Sequence, residues 1–254
     1  MGRGYQHGFS TPGDAMYEKE GRTRKAETMI RILADHFGST PLASLNALDV
    51  GASTGLIDSH LATHFQSLVG IDIDAAAIAF ATTTFATQHN LQFEQGDAMQ
   101  LRFPDNSFDV VICSQVYEHV PDAARMMTEI FRVLRPGGVC YFAAGNRLNI
   151  SEHHYHLPFL SVIPRPLGHV YVRLSGRARY YYEKHLSYWG LKSLAGRFEI
   201  VDYTRKALDE PLRFGTDYMV PPGSPKQRIA TLIARFAYWL VPGYLWLLRK
   251  PAGA

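Results

Sequence analysis

Hydrophobic and polar positions change period again and again along the first half of the chain. Met29, Ile30, Leu33, Ala34 and Phe37 lie at helical spacing, which predicts a helix over 26–37. A short apolar run at 45–50 reads as a strand and is followed by the glycine turn Asp49-Val-Gly-Ala-Ser-Thr-Gly55. Leu56, Ile57, Leu61 and Phe65 return to helical spacing. The alternation continues with a strand over 67–73 ending in Asp72 and Asp74, an alanine-rich helix over 75–86, and a strand over 91–95 leading into Gly96-Asp97-Ala98. The most continuous buried-strand pattern is 108–114. A helix over 122–134 comes next, stopped by Pro136-Gly137-Gly138, and then a strand over 139–144. Strands alternating with helices predict an α/β fold: a Rossmann-like parallel sheet covered by helices on both faces.

Beyond Asn146 the pattern breaks. Residues 151–179 are rich in Pro, His, Tyr and Arg and read as an excursion over the strand ends. A helix over 182–195 and a strand over 198–204 come next, and the best candidate for a further strand is 213–220. The mostly apolar 229–248 contains Trp239 and Trp246 and is bracketed by Arg228, Arg249 and Lys250. It is nominally long enough to span a bilayer, but Arg235 and Pro242-Gly243 oppose that. An interfacial amphipathic helix, or a helix packed on the domain, is the expectation. The domain organisation expected is therefore 1–222, with 151–190 as an acceptor-side lid, and a helical tail over 223–254.

Composition narrows the class. The 254 residues are 46% hydrophobic and 19% charged, enough for a buried core. Two cysteines, Cys113 and Cys140, both in apolar runs, make no disulfide framework and suit a reducing compartment. The start of the chain shows no apolar signal-peptide core, so a cytoplasmic protein, touching the inner face of the membrane through 229–248, is expected. The net charge of +3 conceals an asymmetry. Residues 45–145 hold eleven acids and four bases, 151–190 two acids and five bases, and 226–254 five bases and no acid. The basic segments point to an anionic partner or to a solvated basic face.

In an open parallel sheet, ligands bind outside the carboxyl ends of the strands, where strand order reverses. Gly51 and Gly55 sit at such an end, and Asp72, at the tip of the next strand, is placed to accept hydrogen bonds from a ribose diol. The dinucleotide fingerprint fails, because Ser53 and Leu56 stand where it needs glycines, and the P-loop pattern is missing.

Five segments together resemble the class I S-adenosylmethionine-dependent methyltransferases: Leu48–Gly55, Gly70–Asp74, Gly96–Ala98, the 108–120 run and Phe131–Gly138. The resemblance covers roughly 26–146. It implies a seven-stranded sheet whose last strand is antiparallel, and S-adenosylmethionine as methyl donor with S-adenosylhomocysteine as product. Carried over by position, Asp49, Gly51, Ala52, Ser53 and Gly55 would hold the methionine part. Asp72 would bind the ribose hydroxyls, with Ile73 against adenine. Asp97 would meet the adenine amino group beside Ala98, and Ser114 and Gln115 would line the methionyl side. Ser53 replaces the usual glycine of the turn, and its Cβ narrows the approach.

If the acceptor is a hydroxyl, a base must remove its proton, and histidine has the right ordinary pKa. The candidates are His119 after the fourth strand and His153, His154 and His156 after the fifth. His154 is the expected base and His119 the expected lining or packing residue. The segment from Glu152 to Leu160 resembles an acceptor-side segment of bacterial methyltransferases that modify sugars and polysaccharides. A zinc site from the histidines is the weaker alternative, since no cysteine and only Glu152 stands nearby, and no metal is expected. Arg165, Arg173, Arg177 and Arg179 with Tyr180–Tyr182 would form the lid over the acceptor. O-methylation of a sugar, polysaccharide or glycolipid is the leading expectation. Methylation of a quinone or other lipid-like ring is the alternative, and a non-catalytic cofactor-binding regulator the alternative of another class. Nucleic acid is not expected as substrate, because Ser114-Gln-Val-Tyr117 is not the Asn/Asp-Pro-Pro-aromatic tetrapeptide. The partners expected are a small-molecule or glycan acceptor, a membrane surface and a second copy of the chain.

Overall fold

The computed structural model describes residues 18–150, 152 and 154–253. Helix α1 (Lys19–Phe37) begins at Glu18, whose side chain accepts the Gly21 N–H, and stops at Gly38. Strand β1 (Asn46–Val50) leads through the glycine turn into α2 (Leu56–Leu61). Then come β2 (Ser67–Asp72), α3 (Ala75–Thr84), β3 (Leu91–Gln95), β4 (Phe108–Ser114), α4 (Ala123–Val133) and β5 (Leu134–Gly145). Asp74 and Asp122 cap α3 and α4 by accepting first-turn N–H groups, which fixes where strand gives way to helix. The remaining elements are α5 (Arg165–Leu174), α6 (Tyr188–Leu194), β6 (Glu199–Asp202), α7 (Thr204–Asp209), α8 (Pro211–Phe214), α9 (Pro225–Phe236) and β7 (Gly243–Arg249).

The seven strands form one sheet in the order β3-β2-β1-β4-β5-β7-β6. β1 to β5 run parallel and β7 is antiparallel to both neighbours. Alternate side chains enter two separate cores, one per face. Val111, Cys113, Cys140 and Phe142 pack with Met126 and Ile130 of α4. Val110, Ile112, Tyr141 and Ala143 pack with Met29 and Leu33 of α1. Both cysteines are free and buried. Strand order reverses between β1 and β4, so the crevice between their carboxyl ends is the switch point.

The C-terminal segment corrects the sequence expectation. The helix expected over 229–248 exists only as α9, which ends at Phe236. Pro242-Gly243 breaks the run, and the residues from Gly243 onward form not helix but β7, inserted between β5 and β6. Residues 243–249 are thus integral to the sheet, and 223–254 is not a separate tail. Trp246, 2% exposed, stacks on Phe142 and donates its indole N–H to Tyr238 at 3.0 Å. The strand expected at 213–220 is instead the end of α8, closed by Gly215 at φ +65°, and a loop. The helix expected over 182–195 starts only at Tyr188, where Ser187 caps it. Among the described residues no helix is long and apolar enough to cross a membrane. Trp246→Ala is expected to cost about 3–5 kcal/mol of unfolding free energy. Urea denaturation checks this, and a cost below about 1 kcal/mol would contradict the central placement of β7.

Candidate functional site

The glycine turn hangs on β2. The Gly51 and Ala52 N–H groups both donate to the Ile71 carbonyl at 2.8 and 2.9 Å. The Ser53 N–H donates to Asp72 Oδ2 at 2.8 Å, and Asp72 Oδ1 accepts the Asp74 N–H at 2.9 Å. Burial raises the Asp72 carboxyl above its ordinary pKa, against these two hydrogen bonds. Gly51 needs its missing Cβ: at φ +93°, a methyl there would stand 2.6 Å from Val116. Ser53 lies at φ +51°, in the left-handed region glycine adopts freely, and its buried Oγ has no partner among the described residues. Ser53→Gly is expected to raise stability by up to about 1 kcal/mol by relieving this backbone. Thermal unfolding reads the sign, and a lower melting temperature would contradict it.

Asp49 does not stand alone. Its buried carboxyl lies against that of Asp58 from α2, fully buried, and faces Arg22 of α1. Burial pushes Asp49 up to about 7, with the nearby Asp72 charge adding to the rise. Burial and then the Asp49 charge hold Asp58 well above the carboxylate range. Past the end of β3, Asp97 Oδ1 accepts the Met99 N–H at 2.7 Å and Ala98 is buried beside it. The Ile73 carbonyl accepts from Gln95 Nε2 at 3.2 Å. Ser114 ends β4, and Gln115, at φ +59°, donates its N–H to the Ala143 carbonyl at 2.9 Å.

On the other side of the crevice, past β4 and β5, three glutamates and three histidines meet. Glu118, Glu152 and Glu183 are almost fully buried. Glu152 Oε1 bonds His154 Nδ1 at 2.7 Å and His185 Nε2 at 3.2 Å, while its Oε2 accepts the His154 and Tyr155 N–H groups at 2.8 Å each. Burial works to raise Glu152, yet the His154 and His185 bonds overcome it and hold the carboxyl well below its usual range. Burial works to lower His154, but the Glu152 bond, then the Glu152 and Glu183 charges, leave it above an ordinary imidazole. The His119 ring packs edge-on to His154, centroids 4.8 Å apart, with its Nδ1 3.9 Å from Glu183 Oε1. Tyr117 ties the site together: its hydroxyl donates to the Gly145 carbonyl at 2.6 Å and accepts the Leu186 N–H at 3.2 Å.

His153 lies outside the described residues; every other predicted site residue is within them. Asp49 to Gly55, Asp72, Asp97 and Gln115 border the crevice, and His119 and His154 adjoin each other. His156 joins the Glu152 loop through its backbone, its N–H donating to the Glu152 carbonyl at 2.9 Å. Sequence reasoning missed His185, Glu183, Glu118, Asp58 and Arg22. The clue available was the Glu183-Lys-His185 triplet closing the excursion that Glu152-His-His154 opens. Among the described residues, Glu152, His154 and His185 offer ligand atoms within 4.8 Å of one another and could hold a metal ion.

Residues 48–142 match the family described as methyltransferase domain. That match covers a little over a third of the chain and runs from within β1 through β4 and most of β5, so these residues carry the likeness to a methyltransferase domain. Over 109 residues the chain is 34% identical to a probable S-adenosylmethionine-dependent methyltransferase of Mycolicibacterium smegmatis, covering 43% of this chain and 41% of that protein. It is 33% identical to a ubiquinone biosynthesis O-methyltransferase of Pseudomonas fluorescens, covering 42% and 47%. The matches thus span less than half of each relative's length. An S-adenosylmethionine-dependent methyltransferase structure from Mesorhizobium loti shares the fold, with a TM-score of 0.57 at 16% identity over 89% of this chain and 98% of that one. The methyltransferase domain's donor fits the residues present. Ser53 Oγ is a buried hydroxyl without a described partner at the turn, and the carboxylates of Asp72, ending β2, and Asp97, just past β3, can each accept several hydrogen bonds.

Proposed function

We propose that this protein transfers a methyl group from S-adenosylmethionine to a hydroxyl of a sugar, polysaccharide or glycolipid. The observation that carries this reading is His154 bonded to the buried Glu152 on the acceptor side of the crevice. The donor supplies a methyl on a sulfonium sulfur that is already electrophilic. The protein's part is to align an oxygen nucleophile with it and to receive the proton. Alignment contributes roughly 7–11 kcal/mol in favourable cases. Glu152 engages His154 Nδ1, which orients the ring and would stabilise the imidazolium that forms when His154 takes the proton.

The lining favours a hydroxyl-rich acceptor. Asn146, Asn149, Ser161 and His185 gather around Glu152, with essentially no room for a water between them. His185 Nδ1 and Tyr181 Oη are buried without a partner among the described residues, and sugar hydroxyls would satisfy such atoms. A second reading, methylation of a quinone-like ring, draws on the likeness to the ubiquinone O-methyltransferase. Incubation with radiolabelled donor and fractionated cell extract separates the two. Label in a glycan or glycolipid fraction is expected, label in a quinone fraction supports the second reading, and no transfer despite donor binding supports a regulator.

A further inference from the structure

The excursion from Glu152 to Glu183 forms a small unit with its own core of Leu157, Leu160, Val172 and Tyr181, separate from the two sheet cores. Helix α5 is its outer wall. Gly168 and Val172 face inward, with Tyr181 so close to Gly168 that a Cβ there would stand 3.2 Å away. No described residue covers the other stripe of α5: Leu167 is 60% exposed, Val170 44% and Leu174 83%. Phe159, in the preceding loop, is also exposed. Between 153 and 182 there is no acidic residue, whereas Arg165, Arg173, Arg177 and Arg179 are all exposed. Apolar side chains on a carboxylate-free, arginine-bearing surface match a bilayer with anionic headgroups, the arginines meeting phosphates while the leucines enter the acyl boundary.

We infer that this face of α5 seats the protein on an anionic membrane surface. The contact expected from sequence over 229–248 is not available as a continuous helix, since its second half is β7. Helix α9 does expose Ile229, Leu232 and Phe236. However, Asp209 adjoins it, with Thr231 and Gln227 reaching the Asp209 side chain and backbone, so its rim is of mixed charge. The excursion has the better charge match. Its ends are Glu152 and Glu183, both buried in the acceptor cluster, so seating α5 on a bilayer brings that cluster next to the interface. Delivery of a lipid-linked acceptor there rests on the function proposed above; the membrane contact does not.

The test is co-sedimentation of the full chain with vesicles of equal parts phosphatidylglycerol and phosphatidylcholine, beside vesicles of phosphatidylcholine alone. Binding only to the anionic vesicles, reversed by added salt, is expected. Leu167→Glu with Leu174→Glu, and separately Arg173→Glu with Arg177→Glu, should weaken partitioning on the order of tenfold or more. Leu232→Glu with Phe236→Glu on α9 should leave it unchanged. Circular dichroism of each variant verifies folding, and S-adenosylhomocysteine titration of the unsubstituted chain is read separately, so its failure would strike the proposed function and not the membrane contact. The inference is overturned if the full chain stays in solution with anionic vesicles, or if the α9 substitutions abolish binding and the α5 ones do not. It is overturned equally if sedimentation velocity shows that the α5 substitutions split a dimer in a protein that ignores vesicles.

Discussion

His154→Ala is expected to lower kcat by about 10²–10⁴-fold while leaving the affinity for S-adenosylmethionine unchanged. On the proposed function the imidazole serves the acceptor, while the glycine turn proposed to hold the donor is fastened by other residues, Asp72 among them. Only neutral His154 accepts a proton, so the rate should climb with pH through a pKa above that of an ordinary imidazole. Glu152→Gln removes the charge that raises it. That variant should shift the acid limb of the profile to lower pH while reducing the plateau, a signature that a merely structural loss would not give. Glu152 also links pH to stability. Its folded pKa lies below the unfolded value, so its contribution is present above the unfolded carboxylate pKa and lost as pH falls through the folded one. An unaltered rate for His154→Ala, or an acid limb that stays in place in Glu152→Gln, would remove His154 as base.

Asp72→Ala should give the opposite pattern, a weaker donor affinity on the order of 100-fold. Each charge-assisted hydrogen bond to a ribose hydroxyl is worth about 1.5–3 kcal/mol. The same substitution frees the Ser53 and Asp74 N–H groups, so the turn loses its fastening to the end of β2. Asp72→Asn keeps one acceptor oxygen and should fall between the two. Isothermal titration with S-adenosylhomocysteine measures this without turnover. Affinity within a factor of about three of the unsubstituted protein would show that Asp72 only braces the turn.

The half of the molecule that builds the donor side was legible because local signals coincide there. β3 and β4 occur where periodicity placed them, bounded by polar turns, and Asp74 and Asp122 cap the helices after β2 and β4. The acceptor side was legible only in part. His154 stood out in its segment, but His185 and Glu183 reach Glu152 and His119 through a fold of the excursion that no local pattern encodes. Asp58 faced the same difficulty, since an acid in a helix reads as exposed until the strand beneath it is placed. β7 was hidden for a different reason. Tyr244, Trp246, Leu247 and Leu248 are buried on both faces of the sheet, and a run without alternation reads equally as helix or strand.

The most direct test of the whole account is calorimetric titration of the purified full chain with S-adenosylmethionine and with S-adenosylhomocysteine. One saturable site per chain for both, weakened by Asp72→Ala and untouched by His154→Ala, is the predicted result. Absence of binding heat for either compound, in protein that unfolds cooperatively, would contradict it.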